Sequence, residues 1–147
     1  ETVMTMRLKE KELAGVGISL AAGCRPCTDY HLKAVRQAKA SEEEISRARR
    51  IAIGVRGRAA EIMGVYGLAS DPEPYPVNDE RTALLTAIGA AFTVNCTTSL
   101  THYLELAPAA GIEQDEIAAL AKTATFIRGK AISHVEALVP AAVEAAA

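Results

Sequence analysis

The sequence predicts an all-α protein, built as a tandem pseudo-repeat of helical hairpins that forms an oligomeric helical bundle. Half of the residues are hydrophobic, but only 4% are aromatic and none is Trp, and this alanine-rich apolar set favours close-packed helices over sheets. Apolar residues between Leu13 and Ala22 recur at helical spacing, and no segment shows the alternation of a strand. A chain of 147 residues can form one domain with its own core.

The second half of the chain repeats the first at a constant offset of 72 residues. Residues 12–60 match residues 84–132 without gaps at eleven of 49 positions. The informative matches pair Gly17 with Gly89, Cys24 with Cys96, and Arg56-Gly57 with Arg128-Gly129. We therefore predict a duplication inside a single domain of residues 1–147, with one repeat at about 8–68, a linker at 70–79 and a second repeat at about 80–140.

Caps and turn residues predict the first helices. Gly23 is suited to end the first helix, and Pro26 fits the first turn of a second helix at about 26–39, where its missing N–H costs nothing. Ser41 and Glu44 have the spacing of a capping box, which predicts that a third helix begins there.

Glycines and prolines predict where helices are interrupted. Gly54 and Gly57 are expected to separate the third helix from a fourth that ends near Leu68, and the three prolines of residues 70–79 exclude a helix in the linker. The second half then predicts helices near 80–94, 97–109, 113–127 and 130–145.

Charge and hydropathy limit the classes of partner. The formal net charge is −2, from 16 basic and 18 acidic residues, and the arginines between residues 47 and 58 lack interleaved aromatic residues, so we predict no nucleic-acid partner. No apolar run reaches the roughly 18 residues of a membrane span, and the first residues lack the basic-then-apolar order of a signal peptide. We expect a soluble, cytoplasmic protein with no membrane partner.

A pair of cysteines is the strongest candidate for chemistry. In a reducing compartment, a close pair is more often catalytic or metal-binding than a structural disulfide. If a helix begins near Cys24, then Cys24, Cys27 and His31 share one of its faces. The N–H groups and partial positive charge of a helix start stabilise thiolates, and in such settings a cysteine pKa can fall from about 8.5 to about 3.5–7.5.

Glu12 can join these residues only through tertiary structure. It precedes Cys24 by twelve residues, which is about 18 Å along a straight helix. Its carboxylate can therefore reach the thiols only if the following helix folds back past it.

Glu12, Cys24, Cys27 and His31 form a Glu-x11-Cys-x2-Cys-x3-His pattern. The pattern resembles the AhpD-like alkylhydroperoxidase branch of the carboxymuconolactone decarboxylase family, strongly over about residues 8–60 and weakly through the second repeat. The resemblance implies an all-α fold assembled as homotrimers or homohexamers. It also implies a hydroperoxide substrate, with Cys27 as the peroxidatic cysteine, Cys24 as the resolving cysteine, and His31 and Glu12 as a proton relay. A lipoyl group or a thioredoxin-like protein would supply the reducing dithiol, and no metal or other cofactor would be required.

The sequence departs from this pattern in two places. Arg25-Pro26 stands where the family members most similar to bona fide alkylhydroperoxidase carry a second His between the cysteines, which leaves the substrate and the reductant open. The second repeat lacks the acid, the second thiol and the imidazole. The residues at those three positions are Leu84, Ser99 and Tyr103, with His102 one position away. We therefore expect one active half and one degenerate half, with Cys96 as a buried small hydrophobic residue.

Three other interpretations remain open at this point. The family name suggests a decarboxylase acting on a small carboxylated lactone, although such an enzyme needs no vicinal thiols. A non-catalytic assembly or metal-binding protein could hold zinc with the two cysteines, His31 and Glu12. The cysteines could also be core residues, with Glu12 on a solvated face.

Overall fold

The computed structural model describes residues 6–139, and every regular element in that range is a helix, which confirms the all-α fold class. The helices are α1 (Leu8–Ala22), α2 (Arg25–Gln37), α3 (Glu42–Val65), α4 (Arg81–Thr93), α5 (Thr97–Leu106) and α6 (Gln114–Glu136), with one 3-10 turn at Pro108–Ala110. No helix of the described range combines the length and apolar character needed to cross a membrane.

Within residues 6–139 each half contains three α-helices, so the prediction of four helices per half is wrong. Gly54 lies inside α3 and does not break the helix. A side chain at this position would collide with the Tyr75 ring of the linker, so the glycine permits the close approach of that ring. Gly129 lies inside α6 with open space beside it, and a helical glycine costs only about 1 kcal/mol relative to alanine. The part of the predicted last helix from residue 140 onward lies outside the described residues.

The centre of the bundle is the crossing of α1 and α4. A Cβ on Gly17 would lie 2.6 Å from Thr86 Cγ2, and a Cβ on Gly89 would lie 2.7 Å from Ile18 Cγ1, so both glycines are needed for the close approach of the two helices. Both helices are buried on nearly all sides, which explains why neither has a distinct polar face. Helix α1 also packs against α2, α3 and α6, and therefore holds its side chains inside a rigid frame.

The duplication predicted from the sequence has structural counterparts at the same offset of 72 residues. Left-handed backbone conformations occur at Gly23 and Asn95 (φ 74° and 61°) and again at Lys39 and Gly111 (φ 72° and 76°). Each of these residues lies in the turn that follows the first or second helix of its half. They support the duplication, and the division into repeats stays a prediction.

An ion pair at the start of each half follows the same offset. Lys9 on α1 lies 3.0 Å from Glu44, the capping-box glutamate of α3. Arg81 on α4 pairs with Glu116, the capping-box glutamate of α6, and its Nε donates to Glu10 of α1 at 2.9 Å. Arg81 therefore connects three helices from both halves, whereas Lys9 connects two helices of one half.

Candidate functional site

The cysteine pair lies at the start of α2, as the sequence predicted. The left-handed Gly23 ends α1, and Cys24 then takes the N-cap position of α2 in extended conformation. Its Sγ accepts the backbone N–H of Cys27 at 3.3 Å, and Pro26 occupies the first turn. The sulfurs are therefore in the field of free N–H groups that favours thiolate over thiol.

Cys24 and Cys27 are joined by a disulfide in the structure, with their Cα atoms 5.3 Å apart. Cys24 is 3% exposed and belongs to the hydrophobic core, whereas Cys27 is half-buried and lines an open cleft. The two sulfurs thus differ in access, because only Cys27 is among the residues that border the cleft.

Glu12 and His31 meet because α2 folds back along α1. His31 Nδ1 lies 2.7 Å from Glu12 Oε1, and the two side chains are 16% and 12% exposed. Since a carboxylate accepts, Nδ1 carries the proton of this hydrogen bond, which leaves Nε2 as the basic nitrogen of a neutral ring. His31 follows Cys27 by four residues on the same helix face, and both border the same cleft as Glu12.

Gly15 is a positioning residue that the sequence analysis did not identify. It lies on α1 beneath the imidazole, and a Cβ at this position would lie 2.6 Å from His31 Nδ1. The ring can approach Glu12 only because residue 15 has no side chain. The sequence signal was a glycine within a buried helix, which is unfavourable by about 1 kcal/mol unless it permits a close contact.

If these residues catalyse a reaction, we expect Gly15→Ala to lower its turnover number by about tenfold or more, with little change in KM, because the displaced His31 ring loses its geometry toward the reacting group. Gly64→Ala on α3 is the matched control, since a Cβ there meets no atom within 4 Å. Steady-state kinetics of both variants, with circular dichroism as a check on folding, measure the effect. Equal activity of Gly15→Ala and the control would remove Gly15 from the site.

The corresponding place in the second half is closed. Tyr103, at the position equivalent to His31, is fully buried and donates from its hydroxyl to the backbone oxygen of Tyr75 at 2.6 Å. Its burial raises its pKa to about 12, so it does not exchange protons near neutral pH. Cys96 is buried and free, and its thiol donates to Ser99 at 3.2 Å. The second half therefore has no counterpart of the acid–base pair that Glu12 and His31 form.

The cleft beside Cys27 has a volume of about 740 Å³, which is within the range of sites for small organic molecules. One wall carries Glu12, Pro26, Cys27, Tyr30 and His31, and side chains of α6 form the other wall. No group of three or more His, Cys, Asp or Glu side chains in the described part of the chain is arranged to hold a metal ion. The accessible lining is mostly apolar, with the Cys27 sulfur and the His31 imidazole among its polar groups.

Residues 5–68 match the model of the carboxymuconolactone decarboxylase family. The match covers 64 of 147 residues and spans α1 to α3, including Glu12, both cysteines of the pair and His31. Among curated proteins and among solved structures, none matches the chain. The match supports similarity to the family for the first half of the chain, and it does not distinguish the AhpD-like branch from the decarboxylases.

Proposed function

We propose that the protein is a thiol-dependent peroxidase in which Cys27 reduces a hydroperoxide and Cys24 closes a disulfide. The observation that carries the proposal is the pairing of a bonded Cys24–Cys27 couple at a helix start with the Glu12–His31 couple, on the border of one cleft. A redox-active dithiol requires two sulfurs that can join, and an exchange reaction requires that one of them be accessible.

The first step transfers one oxygen atom to Cys27. His31 accepts the thiol proton at Nε2, and the thiolate attacks the terminal oxygen of the hydroperoxide. The O–O bond breaks, Cys27 becomes a sulfenic acid, and the departing alkoxide takes the proton from His31 as the alcohol leaves. Glu12 stabilises the imidazolium that exists between the two proton transfers.

The second step joins the two sulfurs. The Cys24 thiol attacks the sulfenic sulfur of Cys27, its proton leaves with the hydroxyl group as water, and the disulfide forms. An external dithiol then reduces the disulfide by two exchange steps and is itself oxidised to a disulfide. A lipoyl group or a thioredoxin-like protein is the reductant that we propose, and the attack falls on the accessible sulfur of Cys27.

A decarboxylase acting on a carboxylated lactone is the second candidate. The family match favours it as much as the peroxidase, since the matched family carries that name. In this case Glu12 and His31 would supply the acid–base chemistry, and the cysteines would not be required for turnover. The two candidates therefore differ in what happens when both thiols are removed.

Titration of the reduced protein with one equivalent of a hydroperoxide tests the peroxidase. We expect the loss of two thiols per chain, a mass decrease of about two hydrogens from an intramolecular disulfide, and one alcohol formed per peroxide consumed. Zinc analysis of the same sample tests the metal-binding alternative.

Other results would exclude the peroxidase or establish the decarboxylase. Peroxide that is not consumed faster than by free cysteine, or thiols that remain after its addition, would exclude the peroxidase. Decarboxylation of a carboxylated lactone that persists after Cys24 and Cys27 are both replaced by Ser would establish the second candidate instead.

A further inference from the structure

The far wall of the cleft is built by α6, which the proposed chemistry does not use. The side chains that it contributes are Lys122, Thr123, Phe126, Ile127, Lys130 and His134. Ile127 is a core residue, whereas Phe126 is 65% exposed, so an apolar ring stands in solvent beside the site. Exposed aromatic rings at the rim of a mostly apolar cleft favour a ligand with an apolar body.

Charge is distributed unevenly between the cleft and the rest of the chain. Lys11, Lys122 and Lys130 line the cleft, with His134 near them, and Glu12 is the one carboxylate among the lining residues. Three lysines and one glutamate give the lining a formal charge of 3 − 1 = +2, whereas the whole chain has a formal charge of −2. The Glu12 carboxylate accepts a hydrogen bond from His31, so its negative charge interacts mainly with the imidazole.

The charges of these three lysines are available to a ligand, because no carboxylate of the described residues forms an ion pair with them. None of the ion pairs in the described part of the chain involves Lys11, Lys122 or Lys130, and Lys130 Nζ lies 5.5 Å from the centre of the Phe126 ring. A cleft lined by cations of this kind concentrates anions within it. Lys130 and the Phe126 ring together form a surface with a charged end and an apolar end.

We infer that the cleft binds an organic anion with an apolar body, and that Lys122 and Lys130 select it. The inference rests on the proposed function only in naming Cys27 as the reacting group and a hydroperoxide as the reacting part of the substrate. The corresponding substrate is a hydroperoxide that carries a carboxylate on an aliphatic chain, with the carboxylate toward the lysines and the peroxide toward Cys27. The lysines then act as specificity-determining residues and take no part in the oxygen transfer.

Alkylation of Cys27 measures the local charge without any peroxidase activity. In a reduced Cys24→Ser background, Cys27 reacts with iodoacetate, an anion, or with iodoacetamide, which is neutral, and iodide leaves in both reactions. The ratio of the two rates reports the potential at the sulfur, because the fraction of thiolate cancels. We expect Lys122→Gln or Lys130→Gln to lower this ratio about two- to threefold each, and the double variant to lower it further.

Lys33→Gln is the matched control. It removes the same charge from an exposed lysine of α2 that borders a different surface depression, so the ratio should remain as in the parent protein. Peptide mass spectrometry separates the reaction at Cys27 from any at Cys96. A ratio that is unchanged in the Lys122/Lys130 double variant, or one that falls equally in Lys33→Gln, would overturn the inference.

Protection experiments test the apolar part of the ligand. Decanoate should slow alkylation of Cys27 by iodoacetamide, and acetate and decanamide at equal concentration should slow it much less. The protection by decanoate should weaken in the double lysine variant. Equal protection by decanoate and decanamide would overturn the selection for an anion, and equal protection by acetate and decanoate would overturn the apolar body. A protein that passes these tests without consuming peroxide would retain the anion site and lose only the proposed function.

Discussion

Replacement of Cys27 by Ser is expected to lower dithiol-dependent peroxide turnover by roughly three orders of magnitude or more, because the variant lacks the thiolate that attacks the peroxide in the proposed mechanism. Replacement of Cys24 by Ser should have a different result. Ser is a good N-cap, so α2 should still begin at residue 24, and Cys27 should still react once with peroxide. The reaction then stops at the sulfenic acid, which dimedone traps and intact-mass spectrometry detects.

Cys96→Ser serves as the control for both variants. Cys96 is buried in the second half and borders a different cavity, so turnover should remain close to that of the parent protein. If Cys27→Ser forms the trapped sulfenic acid and Cys24→Ser does not, the two sulfurs have the reverse roles. If both single variants turn over at the parental rate, the pair has no part in the reaction.

Arg81→Met is expected to destabilise the fold by about 3 kcal/mol at pH 7, because it leaves two buried carboxylates without their shared cation. Glu10 and Glu116 lie on α1 and α6, and Arg81 donates to both from α4. Equilibrium unfolding in urea measures the effect. Arg36→Met is the matched control: its partner Glu42 is exposed, so the loss of stability should be much smaller than in Arg81→Met.

The same cluster predicts how stability depends on pH. Hydrogen bonds from Arg81 lower the pKa of Glu116. Burial alone would raise the pKa of Glu10, but hydrogen bonds from Arg81 and from the backbone of Arg7 outweigh it and lower that pKa too. Carboxyls whose pKa is lower in the folded state stabilise it above their unfolded value of about 4.3, and this contribution is lost as pH falls through the folded values.

The difference in unfolding free energy between parent and Arg81→Met should therefore shrink as the pH falls below about 4.3. At low pH the two carboxyls are neutral and no longer require the guanidinium. A difference that stays constant from pH 7 to pH 3 would show that Arg81 stabilises the fold through packing alone.

Local features of the site could be predicted from the sequence because they depend on neighbours along the chain. The αL turn at Gly23, the N-cap at Cys24 and the capping box at Ser41 follow from backbone chemistry within a few residues. The contact between Glu12 and His31 was harder to predict from the sequence. Its spacing excluded a local contact, and only the family resemblance suggested that α2 folds back past α1.

The features that the sequence analysis missed depend on contacts with distant segments. Gly54 reads as a helix break until the Tyr75 ring from the linker is placed against it. Gly15 reads as an unfavourable residue in a buried helix until the His31 ring lies over it. Lys122 and Lys130 of the cleft follow Cys27 by about a hundred residues, and along α6 they look like an ordinary solvated face.

The separation of the cleft into two walls has a consequence for how such proteins diversify. The reactive groups lie on α1 and α2, where Cys24 and Cys27 pack in or against the core and Glu12 and His31 hold each other by a hydrogen bond, so these positions tolerate little change. Lys122, Phe126 and Lys130 project from α6 into solvent, where substitutions alter the free energy of unfolding by only a few tenths of a kcal/mol. Substitutions along that exposed stripe can therefore change which molecule the proposed site binds, while Glu12, Cys24, Cys27 and His31 stay unchanged.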